Sequence, residues 1–460
     1  MKVKIATLGC RNNQYESAEM RASFEKEGLQ PVPFEKQADI CVINTCSVTQ
    51  KSNYRCRRVI RKTVESNPES FIIVTGCYPQ LEPGAIKSLR GVDLILGNEE
   101  KKDIIKFLKE LKIMGGISLY KRKQIKPMVA VGNPGKSSYF HFVEADQFMG
   151  KTKAFLKIQT GCNFKCSFCV ITIARGNSRS ADPANVVYHF KNLLNKGFKE
   201  ITLTGIHLGS YGKDLSPPTN LYELLKIMSQ VEGNFRIRLS SLGTKDINDK
   251  LISLIASSPK ICNHLHISLQ SGSNKILGLM KRNYRIEDFY GVVNKITNRI
   301  PEIGLGADLI AGFPSETDKD FEETMSVVKN TSFSYLHVFN FSGRKNTVAY
   351  DLPGQVPSKD RKKRVTLLND LIHKKSLVFK NSFLGKHLKI LVEHKRDSVN
   401  NMLKGYSDNY LPVHFSGSDK LMNQIVGIRL SHLENDILYG FPFKEAGYPP
   451  GKNKTKDNSF

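Results

Sequence analysis

Between residues 151 and 342, six short apolar segments alternate with helix-like stretches. The segments are "AFLKIQ", "EITLTG", "FRIRLSS", "HLHISLQ", "LGADLIAG" and "LHVFNFS"; the stretches include "NVVYHFKNLLNKG", "LYELLKIMSQV" and "DFEETMSVVKN". A strand–helix unit repeated six times leaves few folds, because parallel strands need a crossover and the crossover helix packs back on the sheet with one hand. The pattern predicts a partial parallel β/α barrel with its reactive groups at the carboxyl ends of the strands. "PSET" offers Ser315 or Thr317 as the cap of the last helix. Two strands carry a wholly polar face: His264, His266, Ser268 and Gln270 in one, Arg236, Arg238 and Ser240 in the other. With the apolar face under the outer helices, the polar face points into the barrel, as it would around a polar cofactor, and Arg238 and His266 are then buried.

The first hundred residues repeat the alternation on a smaller scale. "KVKIATLG", "DICVINT" and "FIIVTG" read as strands, and "YESAEMRASFEKEG" reads as a helix with Tyr15, Ala18 and Ala22 on one face before Gly28. This predicts a doubly wound parallel sheet whose strand ends share one edge. Each strand stops at a cysteine, so Cys10, Cys46 and Cys77 can meet there. Pattern alone leaves open that they are three buried thiols. Cys56 falls in register with Val59, Ile60 and Val64 on a helix face and Cys41 lies inside a strand, so both read as core.

The expected division is 1–115 for this domain, 116–147 for a Gly-, Lys- and Ser-rich linker and 148–375 for the barrel core. A small antiparallel β-barrel over 376–440, from "HLKILVE", "LKGYSDNYLPVHF" and "NQIVGIRLSHLENDILYG", and a polar tail over 441–460 complete it. The 69 Lys and Arg against 43 Asp and Glu give a net charge of +26, gathered in 51–62, 359–375 and 386–396, which makes nucleic acid a candidate partner. No stretch approaches the roughly 18 apolar residues of a membrane span. The amino end lacks the apolar region of a signal peptide, so a cytoplasmic location is expected. Nine cysteines cannot all pair, and their clustering suits reduced thiols or metal ligands.

Three of them, Cys162, Cys166 and Cys169, form a C-x3-C-x2-C cluster just after the first barrel strand. Closed zinc sites complete a tetrahedron, and no fourth cysteine lies nearby. A [4Fe-4S] cube held by three thiolates leaves one iron open, and that iron can take the amino and carboxylate groups of S-adenosylmethionine; one electron into the sulfonium then releases a 5′-deoxyadenosyl radical.

This cluster resembles that of the radical S-adenosylmethionine superfamily. "TLGCRNNQYES", "INTCSVT", "VTGCYPQ", "ARGNSRS", "LTGIHLGSYGKD", "HISLQSGS" and "GADLIAGFPSET" resemble the motifs of its methylthiotransferase family. "LGCRNNQYES", "GIHLGSYG" and "KGYSDNYLPVHF" are most similar to the bacterial-type enzymes acting on N6-threonylcarbamoyladenosine of tRNA. The resemblance runs from residue 1 to about 440 and implies a radical S-adenosylmethionine core and a second [4Fe-4S] cluster on Cys10, Cys46 and Cys77 that supplies sulfur. It also implies methylthiolation of C2 of adenosine 37 in the tRNA anticodon loop, with a low-potential electron donor and a sulfur source as partners and no membrane. Gly205, His207, Gln270, Ser271, Asp308 and Gly312 are then expected to border the cofactor, with Phe168 near its adenine. The terminal barrel resembles the RNA-binding TRAM domain, in which Lys386, Lys389, Lys395, Arg396, Tyr406 and Tyr410 would grip phosphates and stack on a base. The chain departs from the family with "ITIARG" for "IPYARG" and "NFSGRKNT" for "PYSRRPGT", where substrate contacts or lid geometry could differ. Relatives acting on isopentenyladenosine 37 or on a ribosomal protein aspartate are alternatives; a non-catalytic zinc-containing RNA-binding protein is the alternative of another class.

Overall fold

The computed structural model describes residues 1–115, 126–136, 139–140, 142 and 152–443. It opens with a parallel sheet of β1 (Lys2–Thr7), β2 (Gln30–Pro31), β3 (Ile40–Thr45), β4 (Phe71–Gly76), β5 (Leu94–Leu96) and β6 (Met128–Ala130), in the order β2-β1-β3-β4-β5-β6. Every residue of β3 and β4 is buried, as parallel strands covered on both faces must be. β6 lies within the expected linker over 116–147. Its three residues are too short to show a period, yet they add an edge strand beside β5. The rest of 116–147, apart from 126–136, 139–140 and 142, lies outside the described residues, as does the expected tail from 444 onward.

Helix α1 (Arg11–Lys26) buries more than its apolar stripe: Asn12, Asn13, Glu16, Ser17 and Glu19 are buried as well. The reason is its position between two cores. Met20 and Phe24 pack under the amino-terminal sheet, whereas Tyr15 and Ala18 belong to the core of the barrel. Helix α2 (Gln50–Ser66) covers the sheet with Asn53, Cys56, Ile60 and Thr63, and Thr49 caps it by accepting from the Ser52 amide. Cys56 and Cys41 are core, as expected.

The barrel strands β7 (Ala154–Lys157), β10 (Glu200–Thr204), β11 (Arg236–Leu239), β12 (His264–Gln270), β13 (Gly304–Ala311) and β14 (Tyr335–Asn340) lie where the sequence places them. They form two three-stranded parallel sheets, β11-β10-β7 and β12-β13-β14, joined by bridges Ile237–Ile261 and Leu242–Ile267. Thr317 is the cap that forms, accepting from the Asp320 amide. A two-residue antiparallel pair, β8 (Gln159–Thr160) with β9 (Arg179–Ser180), closes the base of the cysteine loop. Strands β15 (His387–Val392), β16 (Leu403–Ser407), β17 (Pro412–Phe415), β18 (Ile425–Glu434) and β19 (Ile437–Pro442) close into the small barrel. Four of its pairings are antiparallel and β17–β19 is parallel. The helix Ser358–Asn381 runs unbroken through the expected boundary at 375.

Arg238 and His266 are buried, yet the polar face of β11 serves another purpose than the one expected of it. Arg236 and Arg238 lie at the amino end of the strand, where Glu200 accepts from both at 2.6 and 2.9 Å. Their remaining donors reach backbone carbonyls of the small barrel, Lys389 and Tyr406 from Arg236, Ser407 and Asp408 from Arg238. The arginines thus join two domains rather than line a cofactor lumen. Burial alone would raise the Glu200 carboxyl, but Arg238, Arg236 and Lys153 hold it well below the usual range, so its contribution is complete at neutral pH and fades only in strong acid. Glu200→Ala leaves two buried guanidiniums uncompensated and is expected to cost about 3–5 kcal/mol. Amide exchange across β15–β19 should accelerate with it; wild-type protection there would contradict this joint.

Candidate active site

The cysteine loop is held from three sides. Cys162 donates its amide to the Gly176 carbonyl, Ser167 donates its amide to the Met280 carbonyl and its hydroxyl to the Leu279 carbonyl, and the Ala349 amide donates to the Ser167 carbonyl at 2.7 Å. Cys162, Cys166 and Cys169 face a cavity of about 290 Å³ that Phe168, His207, Gln270 and Arg282 also line. The Arg282 guanidinium donates to the Cys166 sulfur at 3.3 Å. Burial pushes the Cys169 thiol up to about 12, reinforced by Cys166 and Cys162, while Arg282 pulls it down.

His207 donates its backbone amide to Gln159 and pairs its Nε2 with Asp246 at 2.8 Å, while Nδ1 meets the Ser210 hydroxyl. Although burial alone would raise the Asp246 carboxyl, His207 holds it below its usual range. Phe168 lines the cavity and meets Phe313 edge-on at 6.3 Å. The other expected residues stand behind this wall. A Cβ on Gly205 would lie 2.9 Å from Gln159 Oε1; Ser271 is fully buried and accepts from the Ser273 amide; Gly312, at φ 74°, donates to Glu316. Asp308 meets two histidines: His337, whose Nδ1 lies 3.3 Å from the carboxylate, and His266, whose Nε2 lies 3.5 Å from it and whose Nδ1 bonds the cavity-lining Ser241. Burial lowers His266 to about 4, so its imidazole is neutral at neutral pH.

The amino-terminal sheet delivers Cys10, Cys46 and Cys77 just past the ends of β1, β3 and β4. Gly9, at φ 113°, permits the approach: a Cβ there would lie 2.7 Å from the Cβ of Cys46. Burial pushes the Cys46 thiol up to about 12, reinforced by Cys77 and Cys10. This triplet abuts the radical loop. The Asn98 amide donates to the Ala174 carbonyl at 2.7 Å and faces the Cys77 sulfur at 3.7 Å. Arg175, buried beside Cys77 and Cys10, donates to Glu16 and Asn13 of α1. The helix Ile171–Arg175 that carries Ala174 and Arg175 starts two residues after Cys169. This five-residue helix links the radical loop to the side chains that contact Cys77.

Among the described residues, the only three metal-ligating side chains with donor atoms within 4.8 Å of one another are His266, Asp308 and His337. Neither cysteine triplet is drawn in so tightly. Arg282, Asp246 and Asn98 were not singled out in the sequence, since they reach the site by tertiary packing and no spacing marks them; Arg175 stands in the motif "ARGNSRS", which did not assign it a role. The departing "NFSGRKNT" does not touch the thiol cavity. Its Ser342 and Gly343 accept from Gln50, and Arg344 donates to Ser47, beside Cys46.

Residues 2–97 match the family model described as Uncharacterized protein family UPF0004, and residues 156–328 match that of the Radical SAM superfamily. The chain is 37% identical over 448 residues to the threonylcarbamoyladenosine tRNA methylthiotransferase MtaB of Bacillus subtilis (strain 168), covering 97% of this chain and 96% of the relative. It is 39% identical to the MtaB of Aquifex aeolicus (strain VF5), with 91% and 97% covered. To the tRNA-2-methylthio-N(6)-dimethylallyladenosine synthase of Moorella thermoacetica (strain ATCC 39073 / JCM 9320) it is 32% identical, with 95% and 97% covered. Among solved structures, the radical S-adenosylmethionine methyltransferase TsrM from Kitasatospora setae shares the fold at TM-score 0.57 and 12% identity, over 74% of this chain and 72% of that one.

Proposed function

The chain belongs to the radical S-adenosylmethionine methylthiotransferase family, and from that premise we propose that it converts N6-threonylcarbamoyladenosine 37 of tRNA to its 2-methylthio derivative. The choice of base is carried by one observation: relatives named for threonylcarbamoyladenosine are 35–39% identical to it, those named for dimethylallyladenosine 32–33%. The reaction class agrees with the residues. An aromatic C–H offers no acidic proton to a general base, so a radical must remove the hydrogen and sulfur must wait beside it.

In this reading Cys162, Cys166 and Cys169 hold one [4Fe-4S] cluster and Cys10, Cys46 and Cys77 a second, which with S-adenosylmethionine supply the radical and the sulfur. The chain's own groups position and insulate. Arg282 offsets thiolate charge at Cys166; Asp246 fixes the imidazole of His207 at the cavity wall; Asn98 and Arg175 hold the amino-terminal thiols against the helix that follows the radical loop. Gln270 and Phe168 bound the space left for the cofactor. Gly205, Ser271 and Gly312 shape the strand ends, and Asp308 acts through His266. The electron donor and the sulfur source are partners of the same proposal. Nucleoside mass spectrometry of tRNA from a strain lacking this chain is the test. Loss of 2-methylthio-threonylcarbamoyladenosine with accumulation of its unthiolated parent supports the assignment, and an unchanged level overturns it.

A further inference from the structure

The basic run at 51–62 makes a built surface. On α2, Lys51, Arg55, Arg58 and Lys62 follow one another at intervals of four, three and four residues, which sets them in a single stripe along the helix. Their side chains, with Tyr54, form one wall of a groove of about 700 Å³, and Phe34 lines it opposite. Lys4 forms its floor, tied to Asn67 and the Lys36 carbonyl, and Glu35 is the single acidic side chain among the lining residues. Among the described residues, none of the four stripe cations makes an ion pair or a side-chain hydrogen bond. Tyr54 is 63% exposed beside them.

Two of the four cations expected to meet RNA in the terminal barrel are engaged differently. Lys386 pairs with Glu302, and Arg396 pairs with Asp419 and donates to two carbonyls. Tyr406 and Tyr410 stack on each other at 5.3 Å with Lys153 over both, and Arg238 lies over Tyr410 at the domain joint. In the run at 359–375, Arg361, Arg364 and Lys375 are likewise bound to neighbouring elements.

We propose that the α2 groove is a docking track for the sugar–phosphate backbone of the RNA substrate. The proposal rests on the tRNA assignment above. Position supports it as well as charge. Gln50, at the start of α2, is hydrogen-bonded to Ser342 and Gly343, just past the carboxyl end of β14, so the stripe begins at the barrel mouth. From Lys51 to Lys62 it then extends about 16 Å along the helix. A base entering the cavity would leave its flanking backbone beside the stripe, with Tyr54 free to stack on an unpaired base.

The test is binding of tRNA bearing N6-threonylcarbamoyladenosine to the full, anaerobically loaded chain across a salt titration, comparing wild type with Arg55→Ser/Arg58→Ser. The double variant should bind about tenfold or more weakly near 0.15 M salt, and the slope of log affinity against log salt should shrink by about two. Its 5′-deoxyadenosine formation without tRNA should stay at the wild-type level. Lys191→Ser/Lys226→Ser, which removes exposed cations from outer barrel helices, should bind as wild type does. Wild-type affinity and slope in the α2 variant would overturn the proposal and leave the tRNA assignment standing. So would equal losses in both variants, or a loss confined to vesicles of anionic lipid. Failure of the wild-type chain to bind tRNA would overturn both.

Discussion

Cys166→Ala is expected to reduce 5′-deoxyadenosine formation to background, a loss of at least about a hundredfold, with the fold intact. The thiol is half-buried at the cavity wall, and the backbone bond from the Cys169 amide to the Cys166 carbonyl does not need the side chain. What disappears is the sulfur that Arg282 contacts, and with it, on the proposed assignment, one of three thiolate ligands. With two thiolates left, the remaining ligands no longer hold three irons while leaving one open. Both methylthio product and cofactor cleavage should vanish together. Wild-type cleavage by this variant, measured by chromatography after anaerobic reconstitution, would remove Cys166 from the radical site.

Cys46→Ala is expected to separate the two activities. It should cleave S-adenosylmethionine within about twofold of wild type yet yield no 2-methylthio product. The sulfur is buried at the end of β3, beside Gly9 and remote in sequence from the radical loop. Alanine keeps the Cβ that Gly9 accommodates, so the close approach of the two segments survives. Methylthio product at the wild-type level would exclude Cys46 from sulfur delivery; loss of cofactor cleavage would instead mean that the two sets are not independent.

The barrel strands and the three longer strands of the first sheet were legible because parallel strands buried on both faces leave continuous apolar runs, and six such runs separated by helices admit few topologies. Cys10, Cys46 and Cys77 stood out in the sequence because each follows a strand of the first sheet, and Cys162, Cys166 and Cys169 because of their C-x3-C-x2-C spacing. Other features were hidden by physics that acts across the chain. The burial of Glu16 and Glu19 is invisible in α1 itself, since their partners Lys101, Arg175 and Lys157 come from three other segments. The polar face of β11 was read as cofactor lining because alternation reports only that a face is polar. Glu200 and four carbonyls of the small barrel decide what satisfies it. β6 escaped because three residues cannot display a period. Gly205, Ser271 and Gly312 follow the ends of β10, β12 and β13, and a motif does not distinguish the residue that faces a cavity from the one that shapes the turn behind it.

The most direct measurement is the iron and acid-labile sulfide content of the anaerobically reconstituted chain beside two triple variants, Cys10→Ala/Cys46→Ala/Cys77→Ala and Cys162→Ala/Cys166→Ala/Cys169→Ala. Two cubes require about eight irons and eight sulfides in the wild type and about four of each in either variant. A wild type holding a single zinc and no sulfide, or an amino-terminal variant with the full wild-type complement, would contradict the account.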